Sequence, residues 1–238
     1  MLIQPAAFAV IALLIAGGYF SFYTKKLTGA AAITGVICGT IIYTGAGYAG
    51  LALMAAFFLS GTFATVWGRN MKQQLDKPGD SVQRKPGQVL ANAGVATVLS
   101  LLVMIFPEHR IVLLAMVAGS FASATADTLS SELGVLYGKR FYNCLSWKNE
   151  NKGLDGVISL EGTLIGVAGA GLISFIYILF TGKDSHLFIL IFAGFAGNLS
   201  DSVMGASLER RNFLSNDRVN FLSTLFAAGI TLLLISVF

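Results

Sequence analysis

Gly45-Ala46-Gly47-Tyr48-Ala49-Gly50 decides how many times this chain crosses a membrane. It sits inside one apolar tract from Ala30 to Trp67, where it is either a glycine-bearing joint between two short crossings or the middle of a single long one. A chain of 238 residues that is 55% apolar and only 12% charged, with apolar runs of bilayer length throughout, belongs in a membrane either way. Read as a joint, the run gives eight crossings, near Leu2–Tyr19, Ala30–Thr44, Leu51–Trp67, Val89–Phe106, Ile111–Gly134, Val157–Phe180, Leu187–Leu208 and Val219–Phe238. The odd-numbered connections then hold Lys25 and Lys26; Arg69, Lys72, Lys77, Arg84 and Lys85; Lys139, Arg140, Lys148 and Lys152; and Arg210, Arg211 and Arg218. Of the 16 basic residues only Arg110 and Lys183 remain for the even connections. Cytoplasmic loops accumulate Lys and Arg, so the odd connections face the cytoplasm and both termini lie outside. Fusing the second and third crossings reverses the parity of every later loop and scatters the basic residues over both faces.

The expected architecture is therefore all-α: a polytopic membrane bundle of about eight helices, one integral domain over residues 1–238. The longest connections, Gly68 to Pro86 and Gly138 to Leu154, are too short for a soluble domain and suit lids or phosphate-contacting loops. Cys38 lies mid-helix and Cys144 in a cytoplasmic loop, which speaks against a disulfide framework. His109 and His186 fall in outer loops with no cluster of ligands beside them. The net charge of +4 follows from membrane anchoring, and no nucleic-acid-binding motif accompanies it.

With topology in hand, the polar residues inside the helices can be placed by depth. Crossings five and seven run inward and carry Asp127 and Glu132, and Asn198, Asp201 and Glu209, in their cytoplasmic halves. Crossings four, six and eight start from the cytoplasm, and their first turns hold Gln88 and Asn92, Asp155, Ser159 and Glu161, and Asp217 and Asn220. Polar groups from five helices share one depth, and the outer halves are almost wholly apolar. A carboxylate at a helix centre costs about 2.5–3.5 kcal/mol on insertion scales, so Asp127 and Asp201 are expected to face a bundle interior or a wet cavity. Ser120, Ser123, Asp127 and Ser131 form one stripe at helical spacing. Ser120, Ser123 and Asn198 read equally well as interhelical hydrogen-bonding groups. Glu132 lies about 140° around the helix from Asp127, which weakens its claim to a shared site.

Carboxylates converging beside Lys and Arg, without a histidine or a reactive cysteine, suit a hard divalent cation and phosphate. Mg²⁺ takes oxygen ligands and is usually held by one or two carboxylates together with substrate phosphates. The expected centre has Asp127, Asp201 and Glu132 as catalytic, metal-holding residues. Lys72, Arg84, Lys139 or Arg211 engage phosphate, and Ser123, Ser159 and Asn198 are polar contacts to substrate. An apolar roof would admit a lipid-like acceptor laterally and a nucleotide from the cytoplasm.

Ala122-Ser-Ala-Thr-Ala-Asp-Thr-Leu-Ser-Ser-Glu-Leu-Gly134, with Gln88-Val-Leu-Ala-Asn92, Gly156-Val-Ile-Ser-Leu-Glu-Gly-Thr163, Asp201-Ser-Val-Met-Gly-Ala-Ser207 and Asn216-Asp-Arg-Val-Asn-Phe-Leu-Ser-Thr224, resembles the DUF92 integral membrane family. That family includes transmembrane protein 19 and the plant and cyanobacterial phytyl-phosphate kinases. The resemblance covers Gln88 to Thr224 and implies transfer of a phosphoryl group from a nucleoside triphosphate to a prenyl monophosphate, giving the diphosphate. Cytidine triphosphate is the candidate donor by analogy with other polyprenol-pathway kinases. Matching positions make Asn92, Asp127, Glu132, Asp201, Asn216, Asp217 and Asn220 the residues to carry over. One departure is Asn151-Lys-Gly-Leu-Asp-Gly-Val-Ile158, where the family leads one to expect a richer Gly/Thr turn before Gly-Val-Ser. The localisation expected is integral to the membrane, the plasma or inner membrane in a prokaryote, with the site facing the cytoplasm.

The competing class is a transporter or flippase for a lipid phosphate or ion, with Asp127 and Asp201 as coupling carboxylates. Transporters need polar access from both faces in turn, and this chain supplies polarity from one. An Ala-x-x-x-x-Asp-[Ser/Thr] pattern at Ala122–Thr128 recurs at Ala196–Ser202, as a duplicated helix pair would leave it.

Overall fold

In hydrocarbon every backbone N–H and C=O must be satisfied within its own segment, so long apolar runs become helices. The computed structural model describes residues 5–72 and 83–237, without the side chains of Pro5, Asn70 and Lys72. Its helices are α1 (Pro5–Tyr23), α2 (Gly29–Val66), a short α3 (Arg69–Lys72), α4 (Pro86–Ile105), α5 (Arg110–Tyr137), α6 (Leu160–Thr181), α7 (Leu187–Met204) and α8 (Asn216–Val237). All but α3 belong to the 7 helical segments long and apolar enough to cross a bilayer.

One of those segments makes two passes. At 38 residues α2 would span about 57 Å if straight, nearly twice the hydrocarbon thickness. Gly47, with φ 69 and ψ −155, interrupts it in a region that only glycine adopts readily. The chain reverses there, because Met54 Sδ comes to 3.6 Å from the Cβ position of Gly39, a pair that a straight helix would hold about 22 Å apart. Both arms end on the face that carries the basic loops: Thr28 N–H donates to the Arg84 carbonyl at 3.1 Å, and the Thr65 hydroxyl donates to Glu132 at 2.9 Å. At the opposite face Arg110 donates to the Gly45 carbonyl at 3.3 Å. Gly45–Gly50 is thus a joint, and α1 and α8 both point their free ends away from the basic loops.

α5 is the central post, packed against α2, α4, α6, α7 and α8. Its outer half buries Leu114, Val117, Ala118 and Phe121 against Ile42 and Leu53 of α2, Leu99 of α4, Ile173 and Tyr177 of α6, and Leu190 of α7. These residues form a dry plug over the outer half of the bundle. α5 and α7 run parallel and touch through small residues. Gly194 brings its backbone to Ala122, and Gly197 lies against the Ser123 side chain, where any Cβ would collide.

The connection from α5 to α6 is an ordered hairpin. β1 (Tyr142–Asn143) pairs antiparallel with β2 (Val157–Ile158), Tyr142 opposite Ile158. Crossing six accordingly starts later than Val157: the strand takes Val157 and Ile158, and Ser159 caps α6 by accepting from Gly162 N–H at 3.1 Å.

Candidate active site

Asp127 and Asp201 occupy equivalent places on the two parallel helices, one turn beyond the Ser123–Gly197 contact. Registered by that contact, their carboxyl groups come within hydrogen-bonding reach of each other, and the Ser223 hydroxyl of α8 faces Asp201. Asp201 Oδ2 is shut from solvent and has no hydrogen-bond partner among the described residues. Two adjoining carboxylates repel unless a proton or a cation lies between them. Hard oxygen donors, a partnerless carboxylate oxygen and a water-accessible chamber form a donor set that fits Mg²⁺ held in part by substrate phosphates.

The chamber has a volume of about 850 Å³. On α4 its lining stops at Asn92, on α5 it begins at Asp127, on α6 it stops at Thr163, on α7 it begins at Phe195, and on α8 it stops at Asn220. It therefore fills the half of the bundle beside the basic loops and ends under the dry plug. Its floor is the α5–α6 hairpin, including the Gly153–Ser159 segment. That hairpin is fixed to the end of α7: Arg210 donates to Glu150 at 2.7 Å and to the Asp155 carbonyl at 2.6 Å, and the buried Cys144 thiol donates to the Ser202 carbonyl at 3.2 Å. Gly156, at φ 71, lies flat against Ser202 and Ala206.

Most of the expected site residues meet here. Arg84, Asn92, Glu132, Ser159, Asn198 and Asn220 line the chamber with the aspartates. Arg84 sits with its guanidinium 5.9 Å from the Phe57 and Phe58 rings; burial lowers its pKa, an effect that the Glu132 carboxylate opposes. Asn92 donates to the Gln88 carbonyl at 2.9 Å, Ser130 donates to Asn198 at 3.1 Å, and Asn220 donates to Asn216 at 3.3 Å.

Other expected residues are placed differently. Glu132 lines the chamber while accepting from Thr65, and among the described residues no three of His, Cys, Asp and Glu gather as a metal-ligand set. The reason is rotational, since α5 stays regular and carries Glu132 round toward α2. Ser123 is fully buried in the α5–α7 seam. Asp217 turns outward against Gly87, into a separate apolar groove of about 350 Å³ between α4 and α8. Lys139 contributes a backbone N–H to Glu161 at 3.3 Å, and Arg211 is exposed; neither lines the chamber. The side chain of Lys72 and all of Lys77 lie outside the described residues.

Two residues take parts that the sequence did not assign them. Glu209 lines the chamber and acts electrostatically on both Asp127 and Asp201. In an unbroken α-helix it would lie about 80° around from Asp201. Gly205–Glu209 is instead a π-helical turn, with Arg210 N–H bonded to the Gly205 carbonyl at 3.2 Å. The extra residue in that turn brings Glu209 to about 20° from Asp201. Arg210, the neighbour of the expected Arg211, is the residue that clamps the floor.

The family profile described as "Integral membrane protein DUF92" matches residues 11–228. Membrane protein MJ0933 of Methanocaldococcus jannaschii is 35% identical over 198 residues, which cover 83% of this chain and 81% of that protein. Protein PGR of Arabidopsis thaliana is 32% identical over 233 residues, covering 87% of this chain and 79% of PGR. The chloroplastic protein VTE6 of the same plant is 28% identical over 211 residues, covering 83% of this chain and 62% of VTE6. No solved structure matches the chain.

Proposed function

The chain belongs to the DUF92 integral membrane family, and from that premise we propose that it is a Mg²⁺-dependent prenyl-phosphate kinase whose site opens to the cytoplasm. The observation that carries this is the meeting of Asp127 and Asp201 in a chamber that fills the half of the bundle beside the basic loops. Asp127 and Asp201 would hold Mg²⁺, which when bound neutralises negative charge spreading over the transferred group. Arg84 supplies a fixed cation for phosphate, and the amides of Asn92, Asn198 and Asn220 orient its oxygens. A terminal oxygen of the prenyl monophosphate attacks the γ-phosphorus of the nucleotide. The bond from that phosphorus to the β-bridging oxygen breaks, and the nucleoside diphosphate leaves. The plug beneath Phe121 and Tyr177 keeps the pocket closed on its outer side, a geometry suited to chemistry at one face and unsuited to alternating access.

The test is to incubate the purified protein with Mg²⁺, cytidine or adenosine triphosphate and labelled prenyl monophosphates, and to look for the diphosphate. Asp127→Asn and Asp201→Asn should each abolish its formation while the bundle stays folded. Full turnover by both variants would overturn the metal assignment, and movement of prenyl phosphate across proteoliposomes without conversion would favour the transporter.

A further inference from the structure

The chamber's lining includes exposed apolar side chains on α6 and α7. Leu160 and Leu199 both line it and are 71% and 42% exposed. Phe195, one turn from Leu199 on the plug side, is a half-buried lining residue. Higher in the same α6–α7 seam the helices close completely: a Cβ at Gly166 would sit 2.8 Å from Asn198 Nδ2, and one at Gly194 would sit 2.7 Å from Ala170 Cβ. Nearer the basic loops the lining that these two helices give the chamber includes Leu160 and Leu199, both exposed apolar side chains. Phe195, Leu199 and Ser202 follow helical spacing on α7, so one continuous strip runs from the hydrocarbon side to the neighbour of Asp201. The α4–α8 seam is different. Phe221 packs there at 3.2 Å from the Cβ position of Gly94 and separates the outer groove beside Asp217 from the chamber.

We propose that α6 and α7 part beside Leu160 and Leu199, and that this opening is where the single hydrocarbon chain of a phosphorylated lipid passes from the membrane and rests along Phe195, with its phosphate at the Asp127–Asp201 pair. This rests on the reading of the acceptor as a prenyl monophosphate. A ligand that is purely polar has no use for an opening into hydrocarbon, and one without a charged head has no use for two carboxylates and an arginine. An occupant that satisfies both ends of the strip carries a phosphate on a chain thin enough for the gap. Leu199 and Phe195 then set how much chain fits beside α7, and so select among acceptors.

The experiment uses farnesyl monophosphate bearing a terminal diazirine, photolysed in the presence of the full-length protein in lipid nanodiscs, with labelled peptides mapped by mass spectrometry. Labelling should concentrate on α6 and α7 around Leu160, Leu164, Phe195 and Leu199, and excess unlabelled farnesyl monophosphate should abolish it while farnesol should not. Labelling in the α4–α8 groove at Leu90 and Leu222, or labelling that farnesyl monophosphate fails to displace, would overturn the assignment. Readout by crosslink needs no turnover, so the gap stands or falls separately from the kinase activity. As a second measurement, Leu199→Trp should raise KM for a C20 prenyl monophosphate at least tenfold over that for a C5 one and leave KM for the nucleotide unchanged. Equal changes for both chain lengths would also sink the proposal.

Discussion

Gly197 lies flat against the Ser123 side chain, and that contact fixes how far apart Asp127 and Asp201 stand one turn further along the same two helices. Small residues do here what they do elsewhere in membranes, letting backbones approach until side chains on the next turn meet. Gly197→Val should wedge α5 from α7 and destabilise the bundle by about 1–3 kcal/mol, the usual range for overpacking. Activity should fall much further than stability does, because the carboxylates separate. A thermal melt in detergent alongside a turnover assay checks both.

Metal binding should show up in stability without any substrate. Two facing carboxylates repel when nothing lies between them, so chelation with EDTA should lower the melting temperature of the wild-type protein, and Mg²⁺ at one hundred times its Kd should restore about 2.7 kcal/mol. Asp201→Asn removes the repulsion and the site together. That variant should melt at the same temperature with and without Mg²⁺, and in EDTA it should be at least as stable as the wild type.

The Arg210–Glu150 pair should govern how tightly the chamber floor is held. The Arg210 guanidinium holds the Glu150 carboxyl below its ordinary value of 4.5. A carboxyl depressed by folding contributes stability above its unfolded pKa and loses it as pH falls through the folded one. The clamp is accordingly complete at neutral pH and released only in acid, below about 4.5. Hydrogen exchange of the Gly138–Ser159 segment should quicken as pH is lowered through that range, after correction for intrinsic rates, and Arg210→Ala should show the quick exchange already at neutral pH. If the variant's exchange matches that of the wild type, Arg210 does not hold the floor.

Gly47→Ala tests the hairpin. Alanine at φ 69 and ψ −155 is strained by about 1–3 kcal/mol, so the variant should be destabilised by that amount. Gly35→Ala, in the first arm with open space around its Cβ position, should be neutral or slightly stabilising. Comparable melting temperatures for the two variants would argue against a glycine-specific turn.

Some of what lines the chamber was legible in the chain. Asp127 and Asp201 stand out because a carboxylate in an apolar helix needs a reason, and Arg84, Asn92, Asn198 and Asn220 follow from sharing their depth. Glu132 shares that depth and lines the chamber, and the regular geometry of α5 turns its carboxylate toward Thr65. Asp217 faces the α4–α8 groove, and Ser123, which the sequence left equally open to a packing role, is buried in the α5–α7 seam. Glu209 could not have been placed, because its position depends on a π-turn that no residue pattern announces.

The sequence by itself determined that the chain is a membrane bundle, the side on which the basic loops gather once the passes are counted, and the depth at which polar groups lie, since these are functions of distance along a helix axis and of hydrophobicity; that Gly45–Gly50 parts two passes came from the structure. Only the tertiary structure decided which polar groups meet. Azimuth around each helix is set by packing, by the Ser123–Gly197 contact, the turn at Gly47 and the π-turn before Arg210, and these are properties of two surfaces in contact that one strand of sequence does not carry.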